Sequence, residues 1–367
     1  MNNELIKIKL LLIISFILVL ITNSYFTFDQ SLIFGARDGA DYYLIAKSFT
    51  NLPVDTMEYH RAWRFIIPTF VGIVAKITNI DVYDIFRFFV ILFSMTTIIV
   101  FISLLEKIQT QNFHIYFLSS FLIFNPYLFR FFIAMPTMIN DLVFINAGIL
   151  IIYGFFTKNK IFLFLGFLLA LFTRQNSIFF VLGIIIVKFF FKDKSLLKLN
   201  NIIPLIFLTI VFFYINNNFA NNYTDYNDSY ALINRMGIFN LNYSYTEFIN
   251  YHLFPLIIIF PVLIYFFYEK EILKIDKSKS EVLILIIIFV LSIVIVAYLG
   301  GPIITGKNFI RLINLGFPLI ILLLTFSIKL KVCRVKSKKF ICYQILFFIW
   351  SLHPTFSNIN LFSFFKF

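Results

Sequence analysis

Apolar runs near or above the roughly 20 residues needed to cross a bilayer recur along this chain, and charge falls in short clusters between them. With 367 residues that are 60% hydrophobic and 13% charged, including 53 Phe and 19 Tyr, the chain carries more apolar surface than a water-soluble fold can hide. The fold expected is an all-α integral membrane protein, a polytopic bundle of about 11 transmembrane helices forming a single domain over 1–367. The first run, Leu10–Ile21 behind Lys7 and Lys9, resembles a signal peptide but lacks a small-residue cleavage site. It reads as an uncleaved signal anchor. Cys333 and Cys342 lie near a lysine-rich loop, and neither a structural disulfide nor a metal cluster is expected of them.

A net charge of +13 raises the question of a nucleic-acid partner. The distribution argues against one. Lysines cluster at Lys7/Lys9, Lys107, Lys158/Lys160, Lys188–Lys198, Lys270–Lys279 and Lys329–Lys339. Placing all of these in the cytoplasm satisfies the positive-inside rule throughout. That side then holds 19 of the 31 basic residues, 18 of them Lys, whereas 8 of the other 12 are Arg. The basic excess is a topology signal.

These constraints thread the chain. Span one covers about 9–27, and later spans fall near 85–105, 113–133, 141–156, 161–173, 176–191, 202–215, 253–268, 282–299, 309–328 and 340–352. The N-terminus is then cytoplasmic and the C-terminus outside. The stretch RFIIPTFVGIVAKI (64–77) would make a twelfth crossing, but counting it would turn every later lysine cluster outward, so it reads as an interfacial or shallowly dipping helix. Two outer loops are long: 28–84, with interfacial helices, and 216–252, rich in Asn and Tyr, with sequon-like triplets at Asn222, Asn227 and Asn242. The localisation implied is the plasma (cytoplasmic) membrane, with the active face outside the cytoplasm.

Within the first outer loop, RDGADYYLIA (37–46) carries three charges. Tyr42, Ile45, Ala46 and Phe49 recur at helical spacing, which predicts a short amphipathic helix lying on the membrane. Asp38 at its start and Asp41 one turn on would serve as cap and dipole partner without any chemistry. Arg61 and Arg64 end the same loop. Arg174 lies in FTRQNS between two short apolar runs, and Ile161–Phe172 is 12 residues, about 18 Å of helix against a hydrocarbon core of about 30 Å. A hairpin that tight would hold Arg174 below the outer surface, where a charge is costly and usually has a job. Asp141, Arg235, Lys307 and Arg311 complete an outer set. Interfacial placement is the plain reading of Lys307 and Arg235. Of four scattered histidines, only His60 neighbours the charged loop. Arginine outside and lysine inside is itself informative, because arginine offers a planar fork for phosphate oxygens. Nothing resembles a phosphate-cradling Gly-rich loop, so a soluble nucleotide donor is not supported.

On these residues the sequence resembles the GT-C superfamily of polyprenyl-phosphate-sugar-dependent glycosyltransferases, which includes protein O-mannosyltransferases and lipid A aminoarabinose transferases. The likeness covers roughly the first 190 residues. The family signature places an aspartate just after span one, opening a helix of the form D-E-x-x-Y-x-x-I-A. Here DGADYYLIA puts Asp38 at the aspartate, with Tyr42, Ile45 and Ala46 in step. Gly39 replaces the second acidic residue and Asp41 is acidic where the family often is not, so the signature leaves the base open between the two. RFIIP resembles the Arg-x-x-x-Pro ending of that loop, and LFTRQN the later Thr-Arg hairpin.

The resemblance implies an inverting transferase. A sugar on polyprenyl phosphate would be held through its phosphate by Arg61, Arg64 and Arg174. Asp38 or Asp41 would take the proton of the acceptor hydroxyl, with Tyr42, His60, Asp141, Arg235 and Arg311 on the acceptor side or in support. The partners implied are the polyprenyl-phosphate-linked sugar, a glycan, lipid or protein acceptor, and membrane lipids. Some relatives use a divalent cation, which Asp38 and Asp41 could bridge; the missing second acidic residue argues against it, and no cofactor or metal is expected. Three rival readings remain, the blandest of them a structural membrane subunit, which leaves the Arg/Lys sidedness unexplained. A Wzy-type polysaccharide polymerase would suit the second loop and make Arg235 matter more than Asp38. A polyprenyl-linked oligosaccharide flippase, a non-enzyme, would place its charges near the midplane, whereas here they cluster at one face.

Overall fold

The computed structural model describes residues 3–23, 37–48, 59–108, 110–191, 199–221, 254–271, 277–305, 309–330 and 337–352. In chain order the helices begin with α1 (Asn3–Ile21), α2 (Arg37–Ser48), α3 (Tyr59–Ala62), α4 (Ile66–Thr78) and α5 (Val82–Lys107). There follow α6 (Asn112–Ile123), α7 (Phe129–Ala134), a 3-10 turn (Pro136–Met138), α8 (Ile139–Phe156), α9 (Lys160–Thr173), α10 (Ser177–Phe191) and α11 (Leu199–Ala220). The last are α12 (Phe254–Glu269), α13 (Lys277–Thr305), α14 (Phe309–Leu315), α15 (Phe317–Ser327) and α16 (Ser337–Ser351). A two-residue antiparallel ladder joins β1 (Lys270–Glu271) to β2 (Lys329–Leu330). Among the described residues, Val82–Lys107, Pro136–Phe156 and Ile203–Ala220 are long and apolar enough to cross a membrane, and several shorter apolar helices accompany them. This is the make-up of a helical membrane protein.

Local chemistry sets several boundaries. Asp81 caps α5, its carboxylate accepting the Tyr83 N–H at 2.8 Å. Asn159 caps α9 by accepting from the amides of Ile161 and Phe162, which a side-chain oxygen at that position does well. The α8–α9 turn before it is tight enough to push Lys158 to a φ of 58°. The run expected to cross as one span, 113–133, is broken. Helix α6 ends at Ile123, and the Asn125 side chain accepts the Tyr127 N–H at 2.9 Å in a local turn. Pro126 between them has no N–H and cannot continue a helix. The 64–77 stretch forms α4, 13 residues long, or about 20 Å, which is short of the hydrocarbon thickness. Helix α11 runs to Ala220, five residues into the stretch read from sequence as the second outer loop. The reason is its buried stripe: Leu205, Thr209, Asn216 and Ala220 all lie within the protein, at spacings that share one helix face.

The helices group into two compact units, one of Met1–Leu52, Ile67–Leu142 and Lys331–Phe367, the other of Pro53–Ile66 and Val143–Leu330. In the first unit α1 lies along α6, and α16 packs its Tyr343, Phe347 and Trp350 against Phe113, Phe117 and Phe121 of α6. Lys9 pairs with Glu106 at 2.7 Å near one end of α1, and the Gln344 amide donates to Ser15 at 2.9 Å midway along it. Helix α2 rests on the 3-10 turn and on α5. Gly72 of α4 comes so close to α2 that a Cβ there would run into the Ala46 carbonyl. In the second unit α13 packs on α10, α14 and α15, and Phe144, Phe180 and Phe289 form a continuous stack with centroids 5.0 and 4.0 Å apart.

Candidate functional site

Helix α2 forms where helical spacing predicts it. Ala40, Asp41, Tyr42, Ile45 and Ala46 are buried, Asp38 is half-buried and Lys47 is exposed. The helix opens at Arg37, so Asp38 is its second residue and lies in its first turn, where a carboxylate favours the dipole. Asp41 is 7% exposed, and its burial distinguishes it from Asp38 in a way the signature could not. The 3-10 turn that packs on α2 leads directly into α8, whose first turn carries Asp141, itself 1% exposed. Tyr43, on the same helix, is pushed above the ordinary phenol range by burial and then by the Asp81 charge. The first unit thus holds Asp38, Asp41, Tyr42 and Asp141 on packed, adjoining elements.

The second unit holds Arg61, Arg64 and Arg174, the three arginines that the resemblance would place on a phosphate. Arg61 lies on α3 and Arg64 just beyond it, both half-buried. Their neighbours fasten the segment to α11: Trp63 meets Phe213 edge-on at 5.1 Å, and Phe65 stacks on Phe219 at 3.9 Å. Helix α9 reaches the same stretch of α11, with Phe172 against Phe212 at 4.9 Å. Two residues later Arg174 ends α9 in an extended conformation, its N–H donating to the Ala170 carbonyl and its own carbonyl accepting from Ser177. Arg174 is buried, and its guanidinium lies 5.9 Å over the Phe144 ring, on the end of the aromatic stack. A ring face offers a cation partial compensation for lost water. Two arginine-bearing segments, far apart in sequence, therefore converge on residues 212–219 of α11.

Between those contacts sits Asn216, fully buried, with no hydrogen-bond partner on either amide atom. Residues three and four apart share a helix face, so Phe212, Phe213, Phe219 and Ala220 surround it. In the sequence this residue stands at the edge of an Asn-rich stretch that reads as a loop. Arg130 of α7, which is 5% exposed in the first unit, is likewise not marked by any motif. There Nη1 donates to the Thr22 carbonyl at 2.9 Å and Asn23 Oδ1 at 3.5 Å, and Nη2 donates to Thr22 Oγ1 at 3.0 Å and Ser351 Oγ at 3.1 Å. The Asn23 amide returns a bond to the Arg130 carbonyl. A charged residue inside an apolar run was the available signal.

The side chains of His60 and Arg311, and the whole of Arg235, lie outside the described residues, as do Phe49, Lys307 and the three sequon-like triplets. No group of three or more His, Cys, Asp or Glu side chains is placed to hold a metal among the described residues. No family model matches the chain, and no curated protein or solved structure matches it.

Proposed function

We propose that the chain is an inverting membrane glycosyltransferase, moving a sugar from a polyprenyl-phosphate donor to a surface glycan, lipid or protein acceptor. The observation that carries the reading is the convergence of the Arg61–Arg64 segment and the Arg174 hairpin on α11. Arginines held by aromatic packing, one of them buried, suit a membrane-embedded phosphate. Asp38 is taken as the base, since it is the less buried of the two α2 carboxylates; buried Asp41 orients the helix face. The acceptor hydroxyl gives its proton to Asp38 as its oxygen bonds to the anomeric carbon. The bond from that carbon to the phosphate oxygen breaks, and polyprenyl phosphate leaves with the electron pair. Phosphate is a good leaving group, so no general acid is required. Base assistance contributes ~10²–10⁴ in rate, and fixed guanidinium charge at the leaving phosphate adds to it. The same reading has about eleven crossings, a cytoplasmic N-terminus and an outward active face in the plasma membrane.

The test is complementation of a host deleted for the gene with Asp38→Asn, Asp41→Asn, Arg174→Lys and Arg235→Lys, scored for surface glycan alongside protein abundance. Loss of glycan with Asp38→Asn and Arg174→Lys at normal abundance is expected. A tolerated Asp38→Asn beside a dead Arg235→Lys would instead favour the polymerase reading.

A further inference from the structure

We infer that Asn216 recognises hydroxyl groups on the sugar ring of the lipid-phosphate-linked donor, an inference that rests on the transferase reading above. Asn216 is fully buried and neither its Nδ2 nor its Oδ1 has a partner. A buried amide in that state is costly and asks for a complementary group. Its surroundings narrow the chemistry. Phe212, Phe213 and Phe219 flank it on α11, and through them it is neighbour to Trp63, Phe65 and Phe172. Arg64 lies between Trp63 and Phe65 in the chain, and Arg174 two residues beyond Phe172. A phosphate alone does not satisfy the amide, because phosphate oxygens accept and would leave Oδ1 unanswered. A hydroxyl both donates and accepts, so two neighbouring ring hydroxyls answer Nδ2 and Oδ1 together. Aromatic walls suit the apolar faces of such a ring, and the arginines place its phosphate on the same stretch of α11. One polar group that specifies the ring, within an apolar lining, is the ordinary make-up of a small-ligand site.

The chain supplies its own reporter. Only Trp63 and Trp350 are tryptophans, and Trp63 touches Phe213 beside Asn216. Full-length protein carrying Trp350→Phe, in nanodiscs, would be titrated by Trp63 fluorescence with farnesyl phosphate and with farnesyl-phosphate-linked glucose, mannose, galactose and arabinose. At least one glycosylated probe is expected to bind about tenfold more tightly than farnesyl phosphate, the effect of one well-made polar contact. Asn216→Leu, close to isosteric, would erase that preference while leaving farnesyl phosphate binding within about twofold and the melting temperature equal or higher. Arg64→Gln would weaken all the probes alike. If Asn216→Leu keeps the preference, or if no sugar improves on farnesyl phosphate, Asn216 meets only water and the inference is wrong. If farnesyl phosphate itself does not bind, or binds equally well to Arg64→Gln, the phosphate assignment underneath has failed instead.

Discussion

At the scale of single residues, Arg130 shows how a charge is kept inside an apolar unit. Its two terminal nitrogens reach two segments far apart in sequence, Thr22 and Asn23 just past the end of α1 and Ser351 of α16, and every acceptor is a neutral oxygen. Hydrogen bonds from a charged donor contribute about 1.5–3 kcal/mol each, and a buried acceptor left without its donor costs about as much. Arg130→Gln should therefore destabilise the protein by about 2–4 kcal/mol, read as a lower melting temperature in detergent. Arg130→Lys should recover only part of it, because a single ammonium cannot span the same fork. An unchanged melt for Arg130→Gln would show that the network is dispensable. The residue was visible in the sequence as a charge within an apolar run, but its role was not, since its partners lie about a hundred and about two hundred residues away. Asp38 and Asp41 show the converse. Spacing put both on one helix, yet it could not tell which face the 3-10 turn and α5 would cover, and so could not separate a buried carboxylate from a half-buried one.

At the scale of elements, the position of α2 depends on a glycine. A Cβ at Gly72 would strike the Ala46 carbonyl and come within 3.0 Å of its Cα, both backbone atoms that cannot rotate away. Gly72→Ala should push α2 off α4, at a cost typical of overpacking, about 1–3 kcal/mol. Asp38 would move with it. The expected result is a loss of surface glycan of tenfold or more with protein still present in the membrane. Gly148→Ala is the control, because its Cβ would meet only side-chain carbons at 3.6 Å and beyond, and it should be nearly silent. Normal glycan in Gly72→Ala would mean that α2 tolerates displacement. Helix α2 and the shortness of the α9–α10 hairpin were legible from periodicity and run length. The break after Ile123 was written in Asn125 and Pro126 but hidden by the hydropathy of the run around them. The end of α11 was hidden too, since three consecutive asparagines look like a loop and only burial against neighbouring helices makes one of them helical core.

At the scale of the whole molecule, the sidedness of the lysine clusters predicts what an impermeant reagent can reach. An epitope inserted after Asn227 should be labelled on intact cells, and one inserted after Asp193 only after permeabilisation. The reverse pattern would turn the proposed active face toward the cytoplasm. Membrane character was fully legible, because apolar run length and composition are one-dimensional properties. The grouping of helices into two units was not, because it depends on contacts between distant segments. One such grouping bears on how the protein is made. Helices α1 and α16 belong to one unit, joined through Ser15 and Gln344, with Thr22 and Ser351 both held by Arg130. All of Val143–Leu330 leaves the ribosome between them. At ~5–20 residues per second, α1 and α6 wait many seconds in the bilayer with one flank uncovered. The nascent chain must therefore be shielded from other hydrophobic segments during that interval, and a stop codon anywhere before α16 would leave the earliest helices of the protein without their seal.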